Sequence, residues 1–210
     1  MPQVSDARDK LLNSALDLIY ARSYAGVGVQ ELCEHAGVKK GSFYHFFPSK
    51  RDLILAALDR QWEVAQRTIL EPAFSKQLPP LERLERCFVI FYQHQCGVKA
   101  RTGQVRGCPF GNLALELSTQ DQAIRKRVDR IFRDVAGYME QALRDAIAAG
   151  DIPDQDSSAT AQMLVAYMEG VLLLAKTHND PEVIRRLGPG AMRCVAGGPG
   201  GRLNRAGRKR

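Results

Sequence analysis

The spacing of apolar positions predicts helices along nearly the whole chain. Between residues 6 and 22, apolar side chains recur three and four positions apart, which is the pattern of one buried helical stripe. The same period predicts a helix over 80–97, a short helix over 109–118 and a long helix over 121–149. No segment alternates with the period of two that marks a strand. The sequence therefore predicts an all-α protein.

Two short helices joined by a tight turn are predicted within residues 29–53. The first should stop at Gly37, because a residue without Cβ suits the left-handed backbone that ends a helix. A second helix follows within two or three residues, with Phe43 facing the protein. Ser49 and Asp52 then have the spacing of a capping box, which opens a third helix. This order is that of a helix-turn-helix, whose second helix can enter a DNA major groove.

The second of these helices carries chemistry suited to DNA. No acidic residue occurs between Lys39 and Arg51, so phosphates would meet basic side chains without a competing carboxylate. An ordinary solvated helix face is the alternative. DNA binding is favoured because the turn glycine, the paired lysines and an outward aromatic residue occur together in the required order. The residues predicted to face outward are Lys39, Lys40, Ser42, Tyr44 and His45.

The segment from Gly37 to Leu53 resembles the DNA-binding signature of TetR/AcrR-type transcriptional regulators. The matching residues are Gly37, Val38, Lys40, Gly41, Ser42, Phe43, Tyr44, His45, Phe46, Ser49, Lys50 and Leu53. The resemblance implies an N-terminal three-helix DNA-binding domain, a larger C-terminal helical domain for ligand binding and dimerisation, and a homodimer on a palindromic operator. It also implies base-edge contacts from Lys40, Gly41 and Ser42, and phosphate contacts from Tyr44, His45 and Lys50.

The start of the first motif helix departs from this family pattern. Family members often place hydroxyl residues there, whereas this chain has Val27 and Gly28. Glycine is a tolerable N-cap but offers no side-chain hydroxyl to a phosphate. Any phosphate contact at this position is therefore expected from backbone amides or from Gln30.

Net charge adds little to this picture once its location is known. The chain of 210 residues carries a formal charge of +7, and five basic residues among the last nine leave the remainder with only +2. The local basic cluster at 39–51 is therefore the better sign of a nucleic-acid partner. We predict a DNA-binding domain over 1–52, a helical regulatory and dimerisation domain over 53–196, and a disordered basic tail over 197–210.

The segment from Met163 to Ala175 is apolar almost all the way round a helix, apart from Glu169 and Gly170. Such a helix needs neighbours on every side. We expect part of this surface to meet a second copy of the chain, together with a helix over 181–195, as a four-helix seam. An ordinary central core helix is the alternative.

Composition also indicates where the protein works. The N-terminus lacks the apolar core of a secretory signal, and no uninterrupted apolar run approaches the ~20 residues that span a bilayer. We expect a cytoplasmic protein with no membrane partner. The five cysteines include no CxxC pair and should stay reduced in this compartment, so structural disulfides and a zinc site are not expected. We predict no other metal site and no cofactor.

Cys108 is the cysteine with the most suggestive position. It precedes Pro109, and proline is favoured at the first position of a helix, so Cys108 should lie at or near the N-cap. The helix dipole and nearby Arg106 favour an anionic sulfur there. Cys33 and Cys87 instead fall among apolar helix positions, where burial makes a thiol inert.

Cys108, Asn112 and Glu116 are spaced four residues apart and share one helix face, so they could line a pocket. The segments 107–118 and 169–180 also resemble the NemR-like, electrophile-responsive branch of the family. That resemblance implies Cys108 as the sensing residue and Lys176 as a possible neighbour. The alternatives are a capping or core cysteine and a solvated terminal lysine. Pro109 departs from the branch, which more often has bulkier apolar residues there.

Three functions follow from these residues. The first is a repressor released from DNA by an electrophile that modifies Cys108. The second is a regulator that binds a non-reactive small molecule. The third, a cysteine-dependent enzyme, is disfavoured because no histidine base lies in a recognisable pattern around Cys108, so we predict no catalytic residues. The pocket predicted for the second function is lined by Phe88, Tyr92, Phe110, Tyr138 and Tyr167.

Overall fold

The structure is a computed structural model, and it describes residues 3–197. Its described residues form α-helices and no strand, which confirms the all-α prediction. A π-helical turn over Gln66–Leu70 and a 3₁₀ turn over Gly188–Gly190 interrupt the helices. The helices are α1 Gln3–Ala21, α2 Val29–Ala36, α3 Lys40–Phe46, α4 Lys50–Ala65, α5 Glu71–Ala73, α6 Pro80–Thr102, α7 Pro109–Leu117, α8 Gln122–Ala149, α9 Ser157–Thr177, α10 Glu182–Leu187 and α11 Ala191–Gly197.

The first of two compact units contains the residues up to Thr68 together with Arg106–Phe132. Within it α1 packs on α2, α3 and α4, and α2 packs on α3. Trp62 of α4 meets Phe110 of α7 edge to face, with ring centroids 6.2 Å apart. The core of the N-terminal helices is formed by Leu11, Leu12, Ala15, Leu32, Phe43, Leu53 and Ile54.

The second compact unit contains Ile69–Val105 and the residues from Arg133 onward. Here α9 packs on α10 and α11, and α6 packs on α10. The long helices provide its core, which includes Leu84, Cys87, Met139, Leu143, Leu164, Met168 and Leu172. Within this unit the largely buried guanidinium of Arg83 forms an ion pair with Asp145.

These packing units do not divide the chain at the boundary predicted between residues 52 and 53. Helix α4 stays with the first unit because Leu53, Ile54 and Leu58 are buried in its core. Segment 106–132 joins the same unit from far along the chain. The functional boundary at 52/53 remains a prediction. The predicted basic tail lies outside the described residues except for Gly197, the last residue of α11.

The helix predicted over 80–97 extends five residues beyond its predicted end. Helix α6 continues through Gly97 to Thr102, because Val98 is buried and keeps the helix packed. The helix ends at Gly103, which takes the left-handed conformation with φ 74° and donates its amide to the Lys99 carbonyl.

The predicted single helix over 181–195 is interrupted. Gly188, Pro189 and Gly190 form the 3₁₀ turn between α10 and α11, where glycine and proline weaken a continuous helix. Close packing also requires glycine here. A Cβ at Gly188 would lie 3.1 Å from the Phe88 Cβ, and one at Gly190 only 2.2 Å from the Tyr167 hydroxyl.

Helix α9 is the only helix in the described range that is long and apolar enough to cross a membrane, judged by length and composition. Glu169 and Lys176 interrupt its apolar sequence. Its buried side chains, among them Leu164 and Met168, pack within the second unit, while Leu173 and Leu174 remain exposed. The apolar character of α9 therefore serves a core on one side and leaves an apolar surface on the other.

We predict that the Arg83–Asp145 pair makes stability depend on pH. Hydrogen bonds from Gln141 and Arg83 lower the pKa of Asp145 in the folded protein. Its contribution is therefore present above the carboxyl's unfolded pKa and is lost as pH falls through the folded pKa. Asp145→Asn should lower the free energy of unfolding by about 1–3 kcal/mol at pH 7, because Arg83 loses its charged partner.

Urea unfolding of wild type and Asp145→Asn between pH 7 and pH 3 measures this effect, and the difference between the two stabilities should narrow toward the acidic end. Glu140→Gln is the matched control. It breaks the pair with Arg144 on the same helix, whose guanidinium is mostly exposed, and should change stability by less than about 0.5 kcal/mol. A constant difference between wild type and Asp145→Asn at every pH would contradict the prediction.

Candidate nucleic-acid interface

The turn between α2 and α3 has the geometry predicted from the glycine. Gly37 is left-handed, with φ 63° and ψ 33°, and its amide donates to the Glu34 carbonyl at 3.1 Å. The Val38 amide donates to the Cys33 carbonyl at 2.9 Å. These two bonds satisfy carbonyls at the end of α2 and start α3 two residues later.

A buried hydroxyl braces α2 against α1. Ser14 of α1 is 2% exposed, and its hydroxyl donates to the Leu32 carbonyl at 3.0 Å. The ring of His35 contacts the same hydroxyl at 3.1 Å. Because a buried hydroxyl needs a hydrogen-bond partner, this bond ties α2 to α1 and so helps to set where α3 starts.

Helix α3 separates its side chains into two faces, as predicted. Phe43 is fully buried and meets Phe47 with ring centroids 6.1 Å apart. Tyr44, the next residue, is 51% exposed. The burial of Phe43 fixes the rotation of α3 about its axis, so the opposite face is open. The exposed residues on that face and beside it are Lys39, Lys40, Gly41, Ser42, Tyr44 and His45.

At the start of α2, the structure agrees with the departure noted in the sequence. Gly28 is the N-cap and provides no side-chain hydrogen bond. Gln30 is exposed, and its amide donates to the Glu34 carboxylate at 2.8 Å. Gln30 therefore lies on the surface beside the basic face but is already engaged along its own helix.

Lys50 differs from the other predicted DNA contacts. Its ammonium donates to the Tyr24 carbonyl and lies 3.9 Å from the centroid of the Tyr24 ring. Burial lowers the pKa of Lys50, and the Glu116 charge raises it in opposition. The preceding residue, Ser49, caps α4 as predicted, and its hydroxyl accepts a hydrogen bond from the Asp52 amide. Lys50 is thus held by the α1–α2 turn instead of extending freely into solvent.

Cys108 is the N-cap of α7, as predicted from Pro109. Its sulfur accepts from the Gly111 amide at 3.4 Å, and its side chain is partly exposed. All five cysteines lie within the described range, and none forms a disulfide. Burial raises the pKa of Cys33, and it raises that of Cys87 to about 12. Both thiols should be inert, in agreement with the sequence-based expectation.

Asn112 and Glu116, predicted to line a pocket with Cys108, have separate backbone partners. The Asn112 amide donates to the Arg106 carbonyl at 3.0 Å. The Glu116 carboxylate accepts from the Tyr24 and Ala25 amides at 2.8 and 2.7 Å. The pocket role of these residues remains a prediction. Sequence spacing gave no signal for the Glu116 contact, because its partners lie 91 and 92 residues away.

The five aromatic residues predicted to line a ligand pocket are distributed over both units. Phe88 and Tyr92 line one cavity of the second unit. Tyr167 packs on Phe88 with centroids 6.2 Å apart, and its hydroxyl donates to the Leu187 carbonyl. Tyr138 packs on Phe74, and Phe110 belongs to the first unit. The single pocket remains a prediction.

Lys176 lies in the second unit, exposed in the last turn of α9. Its proposed relation to Cys108 is likewise untested. Within the described range, no group of three or more histidine, cysteine or acidic side chains is placed to hold a metal ion.

Comparison with known proteins identifies the family. Residues 11–57 match the model described as bacterial regulatory proteins, tetR family, and residues 80–189 match the tetracyclin repressor-like C-terminal domain. The chain belongs to the TetR family. It is a DNA-binding transcriptional regulator with an N-terminal helix-turn-helix and a C-terminal helical domain, as the sequence resemblance implied, and not an enzyme.

Several relatives of this TetR-family regulator are themselves regulators. It is 31% identical to the transcriptional regulator AcuR of Cereibacter sphaeroides over 86% of this chain and 81% of AcuR. It is 29% identical to the transcriptional repressor NemR of Escherichia coli over 67% of this chain and 68% of NemR. The crystal structure of reduced E. coli NemR has a TM-score of 0.74 at 27% identity, covering 90% of this chain and 97% of that one.

A structure of the regulatory protein TetR from Rhodobacter sphaeroides has a TM-score of 0.79 at 30% identity. The match covers 90% of this chain and 98% of that one. The all-helical fold is therefore shared with solved regulatory proteins of this family.

Because Phe43 and Tyr44 lie on different faces of α3, we predict that substituting the first lowers stability and that substituting the second lowers operator affinity. Phe43→Ala should lower the free energy of unfolding by about 3–5 kcal/mol, because a fully buried ring is removed. Tyr44→Ala should change stability by less than about 1 kcal/mol and weaken operator binding instead. Urea unfolding and fluorescence anisotropy with labelled DNA measure the two effects. Equal losses of stability in both variants would contradict the assignment of faces.

Proposed function

We propose that this regulator is a cytoplasmic homodimeric repressor that binds a palindromic operator and is released when an electrophile modifies Cys108. The observation that carries the proposal is the placement of Cys108 at the N-cap of α7, in the same compact unit as the helix-turn-helix. A reaction at this sulfur therefore occurs on a helix that belongs to the DNA-binding unit. Two relatives, NemR and DhaR of a Mycobacterium strain, are named as repressors.

The DNA-binding step uses the exposed face of α3. In a dimer, two copies of α3 about 34–36 Å apart would enter successive major grooves. Lys40, Gly41 and Ser42 would approach base edges, while Tyr44, His45 and Lys50 would contact phosphates. Each lysine that meets a phosphate releases counterions, so binding should weaken steeply with salt. Loss of the correct separation between the two helices would end simultaneous binding of both half-sites.

The dimer is supported by the apolar surface of α9. Ala166, Gly170, Leu173 and Leu174 are exposed on a helix whose other side is core. Small residues at 166 and 170 would let a partner helix approach closely, and the two leucines would bury apolar area. We propose α9 with α10 and α11 as the four-helix seam between copies.

The sensing step is a conjugate addition. The Cys108 thiolate attacks the β-carbon of an electron-poor double bond, forming a C–S bond while the π electrons move to the neighbouring carbon. That carbon then takes a proton from water, which replaces the proton the thiol lost. The product thioether is bulkier than a thiol and a poor acceptor for the Gly111 amide. Modification should therefore disturb the first turn of α7.

Operator binding measured before and after treatment with N-ethylmaleimide tests the proposal. Unmodified protein should bind its own promoter fragment with a salt-sensitive, sequence-selective affinity. Full modification should weaken that affinity by at least about tenfold, which is a coupling of about 1.4 kcal/mol. Cys108→Ser should bind DNA normally and resist release. Cys96→Ser, which removes another partly exposed thiol, should be released like wild type; equal release of wild type and Cys108→Ser would refute the thiol switch.

A cavity in the second unit favours a second candidate, a regulator that binds a non-reactive apolar molecule. The cavity has a volume of about 310 Å³ and is lined by Phe88, Val89, Tyr92, Ile184 and Met192, among others. Tyr92 donates its hydroxyl to Glu182, and this hydrogen bond raises the pKa of Tyr92 to about 12. Most of the side chains that line the cavity are apolar or aromatic, so an uncharged ring-containing ligand suits it best.

We predict that Val89→Trp blocks this cavity. Val89 is 48% exposed and lines the cavity, so a larger ring there should fill it without disrupting the core. Calorimetric titration with 1-naphthol should show at least about tenfold weaker binding than wild type. Leu115→Trp, at a 79% exposed position of the first unit, is the control and should bind normally. Equal affinities in both variants would exclude this cavity as the ligand site.

A further inference from the structure

The carboxylate of Glu116 holds the turn that precedes the helix-turn-helix. Its two oxygens accept from consecutive backbone amides, those of Tyr24 and Ala25, at 2.8 and 2.7 Å. Two charge-assisted hydrogen bonds of this length are stronger than neutral ones and fix direction as well as distance. Because both amides belong to the short link between α1 and α2, Glu116 determines where that link lies.

The same link holds Lys50. The Tyr24 carbonyl accepts from the Lys50 ammonium, and the Tyr24 ring lies beneath that ammonium at 3.9 Å. Tyr24 is thus held by Glu116 at its amide and holds Lys50 at its carbonyl. A displacement of Tyr24 must displace the charged group of Lys50, which is the predicted phosphate contact at the start of α4.

The segment just before α7 also contacts α1. The Tyr20 hydroxyl donates to the Gly107 carbonyl, and the Arg106 guanidinium lies 5.7 Å from the Tyr20 ring centroid. Cys108 follows directly and caps α7. From Cys108 to Glu116 the helix rises about 12 Å. A short rigid helix therefore has the reactive sulfur at one end and the Tyr24 contact in its last turn.

We propose that Glu116 is a positioning residue for DNA binding. It fixes the Tyr24 peptide, and through that peptide it sets the position of the Lys50 ammonium relative to the operator phosphate. Through the same contact, a disturbance of α7 at Cys108 reaches the DNA-binding face. This second part rests on the function proposed above, whereas the Glu116–Tyr24–Lys50 connection does not depend on any reaction at Cys108.

A double-mutant cycle with unmodified protein tests the connection. Glu116→Gln should weaken operator binding by about 3- to 10-fold, because one charge-assisted contact is lost. In a Lys50→Met background, the same substitution should change affinity by less than about 2-fold, because the group that it positions is absent. Lys50→Met should also reduce the salt slope by about 0.9, the share of one phosphate. Glu63→Gln, an exposed residue of α4 with the same change of charge, should have no effect in either background.

Amide hydrogen exchange tests the contact without DNA. The Tyr24 and Ala25 amides should exchange at least about tenfold faster in Glu116→Gln than in wild type. Glu63→Gln should leave both rates unchanged. A merely structural role for Glu116 would instead accelerate exchange throughout the first unit. Unchanged rates at these two amides would overturn the proposal, as would independent, multiplicative effects of the Glu116 and Lys50 substitutions.

The coupling to Cys108 is measured by the ratio of operator affinities before and after N-ethylmaleimide. Wild type should show a ratio of at least about ten and Glu116→Gln a ratio below about three. An undiminished ratio in Glu116→Gln would overturn the coupling. If wild type itself shows no change, the thiol switch of the proposed function is refuted, and the cycle and the exchange rates still decide the role of Glu116.

Discussion

The left-handed turn at Gly37, with Phe43 buried beyond it, is the constraint on which the DNA-binding surface depends. The turn sets the angle at which α3 leaves α2, and the buried ring sets the rotation of α3 about its axis. With both fixed, the side chains of Lys40 and Tyr44 have only one side of the molecule to occupy. The interface therefore follows from a backbone conformation that L-residues rarely adopt and from one apolar contact.

Local signals were sufficient to predict this part of the molecule. Gly37, Ser49 and Pro109 each act within a few residues of their own position, by ending, capping or starting a helix. The helical period then placed Phe43 inside without knowledge of its neighbours. The position of Cys108 at an N-cap was predictable for the same reason. Fold class, motif and the N-cap position of Cys108 thus all rest on short-range physical chemistry.

Contacts between distant segments were not predictable in the same way. From its spacing of four and eight residues from Asn112 and Cys108, Glu116 is predicted to line a pocket. Its partners in the α1–α2 turn are far away in sequence and are seen only in the folded chain. The helical period predicted an end at Gly97, but the burial of Val98 outweighs the modest helix penalty of one glycine and α6 continues to Thr102. At Gly188 the local Gly-Pro-Gly sequence already weakens the helix, and the close approach to Phe88 adds a packing constraint that no local pattern indicates. Tertiary packing decided the cases of Glu116 and Gly97 and contributed to that of Gly188.

The unequal environments of the five sulfurs have a consequence for the proposed thiol switch. Burial raises the pKa of the Cys87 thiol to about 12, so this sulfur stays protonated at pH 7 and is shielded from solvent as well. Buried sulfurs of this kind do not compete for a reagent that arrives in small amounts. Under the proposed thiol switch, reagent would be divided among the three partly exposed sulfurs, and the occupancy of operator DNA would report the share that reaches Cys108.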